Sequence, residues 1–294
     1  MAYITGTATD RSDLLAVLNT QLAAAGWVVD RYVAGDELIA HGSGYGTGDV
    51  YIGYKLYTNV SSDINNFDVR MFTGFSSGNS FHNQPGISPP SAQCLWDNNI
   101  DYWLYINNKR VILVAKVNTV YEISHLGFLL PYGPSTSYPY AGFVGGNATA
   151  LDTRYSDVSS ANSNFNCSYS GESGSYVRSP SGTWWPLAEQ AGLTNEAYMY
   201  PARCMIGYSF YSDESTFKHI TVDADGNHFM IPLQPMISTI AENNAFGEID
   251  GANWISSFGL SSEDFFVYGG DTYDVFANVF RSTFQDFIAI KREL

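Results

Sequence analysis

Charge is scarce in this chain. Only 15% of its residues are Asp, Glu, Lys or Arg, against roughly 25% in an average soluble domain. What charge there is lies on one side: 14 basic against 29 acidic residues give a formal net charge of −15. Long contact with nucleic acid needs clustered Lys and Arg to replace condensed counterions. The basic residues here are few and scattered, which excludes that class of partner. Cysteine is also rare. Cys94, Cys167 and Cys204 stand far apart without a CxxC pair, so neither a disulfide framework nor a zinc site is expected. Long apolar runs are missing too. The most apolar stretch, 111–132, is broken by Lys116, Asn118, Glu122 and His125, too polar for the roughly 20 residues a membrane helix needs. The opening MAYITGTATD has no basic or apolar leader region, so a soluble, unexported protein is expected.

Aromatic and small polar residues fill the space that charge leaves. The 294 residues include 21 Tyr, 18 Phe and 6 Trp. Tyr and Trp join an apolar body to a polar tip, which suits strands and surfaces covered by another protein. One helix is expected over 12–25. Asp10 or Ser12 can cap it, Leu14, Leu15, Val17, Leu18 and Leu22 form an apolar stripe, and Gly26 follows its end. Strands are expected at 27–31, 37–41, 50–57 and 67–75. The stretch 76–101, with Pro85, Pro89 and Pro90, reads as a connecting loop. Beyond it, 102–107 and 110–117 form a hairpin whose second strand, VILVAKV, is apolar enough to be covered on both faces. Residues 121–130 read as a strand or a short helix, since periodicity does not decide. Residues 131–175 read as a long surface excursion. Strands follow at 176–187, 205–211, 246–255, 265–268, 272–276 and 287–290, with a short helix near 188–191 and a hairpin of 220–223 with 228–231. The expected class is α+β, predominantly β, with antiparallel sheets and one N-terminal amphipathic helix. The expected division is a helix-plus-strands unit over 1–80 and a β-rich body over 81–294.

Catalytic and metal motifs are weak throughout. VDADGN (222–227) lacks the spacing and closing glutamate of a calcium loop and reads as a turn. His41, His82, His125, His219 and His228 lie singly. GSGYGTGD (42–49) is not followed by the Lys-Ser/Thr of a phosphate loop, and no G-x-S-x-G is present. Acids do stand beside aromatics, as sugar-cleaving enzymes arrange them: Asp97 and Asp101 near Trp96 and Trp103, Glu263 and Asp264 near Phe265. So many acids and aromatics make chance adjacency the plainer reading, with sugar binding ahead of cleavage. No cofactor is implied.

Three blocks carry a resemblance. DVYIGYKLYTNVSSDINNFDVRMFTGF (49–75), DYWLYINNKRVILVAKVNTVYEISHLGFLLPYGPSTSYPYAGFVGG (101–146) and GEIDGANWISSFGLSSEDFFVYGGDTYDVFANVFRSTFQDFIAI (247–290) together resemble a family of virion structural proteins of tailed bacteriophages. The middle block is similar to that family's YW–N–RR–hydrophobic–K–S/T–YE–LGF–LPY–YPYP signature. The resemblance implies a non-enzymatic particle component of the tail or baseplate, assembled in the host cytoplasm. It would be homo-oligomeric and would contact other phage structural proteins. No catalytic residues come with it. The expected contact residues are Pro85, Pro89 and Pro90, Tyr138, Tyr140 and Phe143 of SYPYAGF, the pair Trp184–Trp185, and the Ser/Asn-rich segment 156–175. A receptor- or glycan-binding module, a virion-associated hydrolase, and a neck or capsid-surface protein are the rival expectations.

Overall fold

A computed structural model describes residues 1–45, 48–148, 150–155, 172–188, 196–200, 222–238, 243–279 and 287–293. The expected strand at 205–211, Cys167, Cys204, His219, residues 156–171 of the Ser/Asn-rich segment and 189–191 of the short helix lie outside them. The fold is predominantly β and antiparallel, with one helix near the N-terminus.

That helix, α1 (Arg11–Ala24), starts where the side-chain chemistry dictates. Asp10 accepts from the Asp13 amide at 2.8 Å, and Asp13 reaches back to the Thr9 amide at 2.9 Å, which satisfies two otherwise orphaned donors. It ends at Gly26, whose φ of 90° is left-handed and bends the chain so that the Trp27 amide bonds Leu22 O at 3.0 Å. The turn delivers Trp27 into the core, where its indole donates to Asn107 O at 2.8 Å. Leu14, Leu15, Leu18 and Leu22 are fully buried, worth about 1.5–3 kcal/mol each.

Three sheets stack as layers. The helix-side sheet runs in the order β2 (Val28–Val33), β3 (Glu37–Tyr45), β4 (Gly48–Asn59), β5 (Ile64–Phe72), β6 (Ser91–Gln93). The central sheet runs β1 (Ala2–Ala8), β7 (Ile100–Ile106), β8 (Arg110–Val117), β9 (Val120–Phe128), β11 (Gly142–Gly145), β12 (Glu172–Arg178), β13 (Trp184–Ala188), β14 (Glu196–Tyr200), β16 (Gln234–Ser238), β17 (Asn243–Ala245). Its one parallel contact is Leu187 with Ala197. The outer sheet runs β15 (Met230–Pro232), β19 (Ala252–Ile255), β22 (Phe287–Lys291), β21 (Asp271–Ala277), β20 (Phe265–Tyr268). A short ladder joins β10 (Leu130–Pro131) to β18 (Gly247–Glu248).

β8 shows why the layers stack. Alternate side chains leave opposite faces of a strand. Val111, Leu113, Ala115 and Val117 enter the core shared with α1 and the helix-side sheet. Ile112 and Val114 enter the core shared with the outer sheet. A strand buried on both faces reads as a continuous apolar run, as VILVAKV does.

Several expectations change in detail. β1 was not anticipated, and it pairs along its whole length with β7. That ladder and the first core cross the expected 80/81 boundary. Residues 121–130 resolve as strand. The segment 131–175 is not wholly a surface excursion: β11 lies inside the central sheet, buried throughout. Its glycines allow this, because a Cβ on Gly142 would stand 2.9 Å from the Trp184 ring and one on Gly146 would stand 2.2 Å from Ser91 Oγ. The stretch 176–187 is two strands, β12 and β13, with Gly182 (φ 92°) in the turn. The hairpin about Asp225-Gly226 reduces to one bridge, Val222 with His228, among the described residues. No helix described is long and apolar enough to cross a membrane.

Candidate interaction surface

The expected contact residues fall into two groups. Phe143 is fully buried, edge-on to the His125 ring at 5.3 Å. Tyr138 is buried as well, with its hydroxyl donating to Arg178 O and its ring against Phe246 at 5.8 Å. Burial pushes that phenol well above its ordinary pKa. Both residues serve the core and not a surface, which corrects the expectation for them. Pro85 is exposed, while Pro89, Pro90, Tyr140, Trp184 and Trp185 are half-buried. The fold brings several of these together. The Trp184 indole donates to Gly86 O at 3.3 Å, and Arg178, paired in register with Trp184, stacks over the Tyr140 ring at 5.4 Å. The proline-rich connection is anchored: Phe81 is buried edge-on to Phe72 at 5.5 Å, and Arg70 joins Asp68 at 2.5 Å and Ser88 O at 2.8 Å.

A second surface has no counterpart in the expectations. Among the described residues, β1 and β20 are end strands of their sheets. They lie on the same side of the molecule, joined by Arg292, whose guanidinium stacks over the Tyr3 ring at 4.7 Å and the Phe265 ring at 4.8 Å. The same guanidinium grips Asp274 at 2.6 Å, and Asp274 also accepts from the Tyr105 hydroxyl at 2.7 Å. Burial and the neighbouring Asp274 carboxylate raise the Tyr105 phenol well above its usual range. Lys291 and Glu293 extend this clasp: Lys291 pairs with Asp271 at 2.7 Å, and Glu293 with Arg110. Arg110 is completely buried, and Asp250 lies 3.4 Å from its Nε. Beside the clasp, Phe265, Val267 and Tyr268 are 59%, 65% and 53% exposed. The turn Gly269-Gly270, both left-handed, places Tyr268 opposite Asp271. In a two-residue hairpin that pair is hydrogen-bonded, so the backbone groups of Val267 and Phe265 point away from β21 toward the open edge. No sequence signal pairs residues 3, 265 and 292; only the run of exposed-type apolar residues in FFVY was visible.

The acid–aromatic pairs separate. Asp97 and Trp96 lie toward α1 and residue 155: Asp97 is 4.0 Å from Arg11, and Trp96 meets the Tyr155 ring at 5.6 Å. Asp101 and Trp103, by contrast, neighbour Lys116 and Tyr121, the two side chains that meet Glu263. The Tyr121 ring packs 6.0 Å from Trp103, its hydroxyl donates to Glu263 at 2.6 Å, and Lys116 pairs with Glu263 at 2.5 Å. Glu263 has a φ of 75°, a left-handed conformation that costs a side-chain-bearing residue about 1–3 kcal/mol. Its carboxyl is held below the usual range: burial opposes this, and the hydrogen bonds from Lys116 and Tyr121 prevail.

Among the described residues, no group of three or more His, Cys, Asp or Glu side chains is placed to hold a metal ion. Each described histidine has a hydrogen-bond partner: His41 with Asp30, His82 with Asp68, His125 with Asp250 O, His228 with Ser256 O. In VDADGN, Asp223 accepts from the amides of Asp225 and Asn227 at 2.9 and 2.8 Å, which makes it an Asx turn. No family model matches the chain, and no curated protein matches it significantly.

Proposed function

We propose that this protein is a structural subunit of a tailed-phage particle, in the tail or baseplate region, and that it works through contacts with copies of itself and with neighbouring particle proteins. The observation that carries this reading is the side of the molecule where β1 and β20 lie next to each other with exposed Phe265, Val267 and Tyr268. Natural proteins shield open strand edges with charge, proline or bulges, because an unpaired ladder invites another strand. Two adjacent open edges, one lined by exposed Phe265, Val267 and Tyr268 and the pair bridged by Arg292, fit a surface that a second subunit covers. Closed cyclic symmetry is the common way to pair such edges. The sequence blocks 49–75, 101–146 and 247–290 support the phage setting. The net charge of −15 opposes association between free copies at low ionic strength and yields to screening. Antibody labelling of purified phage particles tests the reading. The expected result is label at a fixed site on the tail or baseplate in a regular copy number. Absence of the chain from purified particles would overturn it.

A further inference from the structure

We propose that the corner of the central sheet formed by Asp101, Trp103, Lys116 and Tyr121, closed by Thr7 and Glu263, binds a neutral saccharide. This goes beyond the assembly role and, apart from Thr7 on β1, rests on residues that the assembly reading does not use. In register, Thr7 pairs with Asp101, Asp101 with Lys116, and Lys116 with Tyr121. The four side chains therefore form one row across β1, β7, β8 and β9, all on the face turned toward the outer sheet. Trp103 stands in the next row. Farther along, the outer sheet, with Phe276 of β21, closes that face over Tyr105 and Ile112. At this corner it leaves Trp103, Lys116 and Tyr121 half-exposed and Asp101 and Glu263 exposed.

The two rings are fixed in place before any ligand arrives. Trp103 and Tyr121 both seat on buried Phe276, at 5.2 and 5.5 Å. The Lys116 ammonium lies over the Tyr121 ring at 5.5 Å, so half-exposed Trp103 is the platform; a rigid ring offers contact area at little entropic loss, and the C–H face of a pyranose is the apolar surface that matches it. The polar groups are preset in the same way. Asp101 Oδ1 takes the Thr7 hydroxyl at 2.6 Å. Glu263 Oε1 takes both Lys116 and Tyr121. Asp101 Oδ2 and Glu263 Oε2 have no hydrogen-bond partner among the described residues, which leaves each carboxylate one acceptor for a sugar hydroxyl; such charge-assisted bonds are strong. The left-handed Glu263 is held at this spot by its amide bond to Val275 O at 2.9 Å. Two carboxylates against one lysine, on a chain of net charge −15, disfavour uronates, sialates and phosphates.

Calorimetric titration of the full chain with maltohexaose, chitohexaose and mannohexaose, with oligogalacturonate as the anionic comparison, tests the site. The expected result is binding of at least one neutral hexasaccharide with Kd of about 1 mM or tighter. Asp101→Asn and Thr7→Val, both at exposed positions, should weaken it by about tenfold with unchanged melting temperature. Trp103→Ala should abolish binding, but that ring packs on Phe276, so Asp101→Asn decides. The proposal is overturned if no neutral hexasaccharide binds, if oligogalacturonate binds more tightly, or if Asp101→Asn binds as the parent does. The oligomeric state of the same samples, read by light scattering, keeps this outcome separate from the assembly reading.

Discussion

Glu122 carries a carboxyl group into the space between the central and helix-side sheets. The side chain is fully buried, and neither oxygen has a hydrogen-bond partner among the described residues. Burial alone pushes its pKa well above the ordinary glutamate range, so the folded protein holds it neutral. His125, on the opposite face of the same strand, moves the other way. Burial and the Arg110 guanidinium depress it to about 3. The two shifts bound stability from both sides. Above about pH 4.3 the unfolded chain releases the Glu122 proton while the folded chain keeps it, so stability falls as pH rises toward the folded value. Below about pH 6.5 the unfolded chain takes up a His125 proton that the folded chain refuses, so stability falls as pH drops toward 3. Between those limits the two slopes cancel, and a plateau in melting temperature is expected from about pH 4.3 to 6.5. Glu122→Met, similar in volume and unable to ionise, should remove the alkaline decline and stabilise at pH 8 by about 1–3 kcal/mol. A melting curve series from pH 4 to 9 checks both statements, and an unchanged alkaline limb in the variant would contradict them. Gly251 gives a second residue-scale outcome. Its φ is 74°, and a Cβ there would stand 1.9 Å from the buried Arg110 guanidinium. Gly251→Ala should therefore cost about 2 kcal/mol or more, seen as a lowered urea midpoint.

At the scale of elements, legibility follows how a strand is buried. VILVAKV announces β8 because both faces are covered and every residue but Lys116 is apolar. The helix is plain from Asp10, its leucine stripe and Gly26. β11 is hidden by what makes it possible: GFVG packs between neighbours only because Gly142 lacks a side chain, and glycine beside proline reads as loop. β1 is hidden for a related reason. Gly6 interrupts its pattern, yet a Cβ there would press on the Tyr102 hydroxyl at 2.7 Å. The clasp could not be read at all, since Tyr3, Tyr105, Phe265, Asp274 and Arg292 meet only once the central and outer sheets have stacked. Its energetic role is testable. Arg292→Ala should leave buried Asp274 without its cation and cost about 1.5–3 kcal/mol. Arg292→Lys should recover only part of this, because an ammonium supplies neither the fork nor the ring stacking. Chemical denaturation of the three proteins ranks them. Val267→Pro is the complementary change at the edge. Its amide faces away from β21, so the hairpin should persist while any strand added at the edge loses a donor.

At the scale of the whole molecule, the central sheet is a shared wall. Its one face seals the helix-side core, its other face seals the outer core, and its end strand β1 remains open beside β20. The layers explain how a chain with so little charge stays folded: apolar strands are covered twice, and buried ions are paired, Asp274 and Arg110 at the clasp and Asp68 with Arg70 under the proline-rich connection. They also place the two open strand edges, β1 and the apolar β20, side by side, where one partner can cover both. The assembly reading stands or falls on that side of the molecule. Native mass spectrometry of the full chain and of Val267→Pro, at matched concentration and about 0.5 M ammonium acetate to screen the net charge, tests it most directly. The account predicts a closed oligomer for the parent chain and a folded monomer for Val267→Pro, with the same far-UV circular dichroism and a melting temperature lowered only by the lost association. A parent chain that stays monomeric, or a variant that assembles as the parent does, would contradict it.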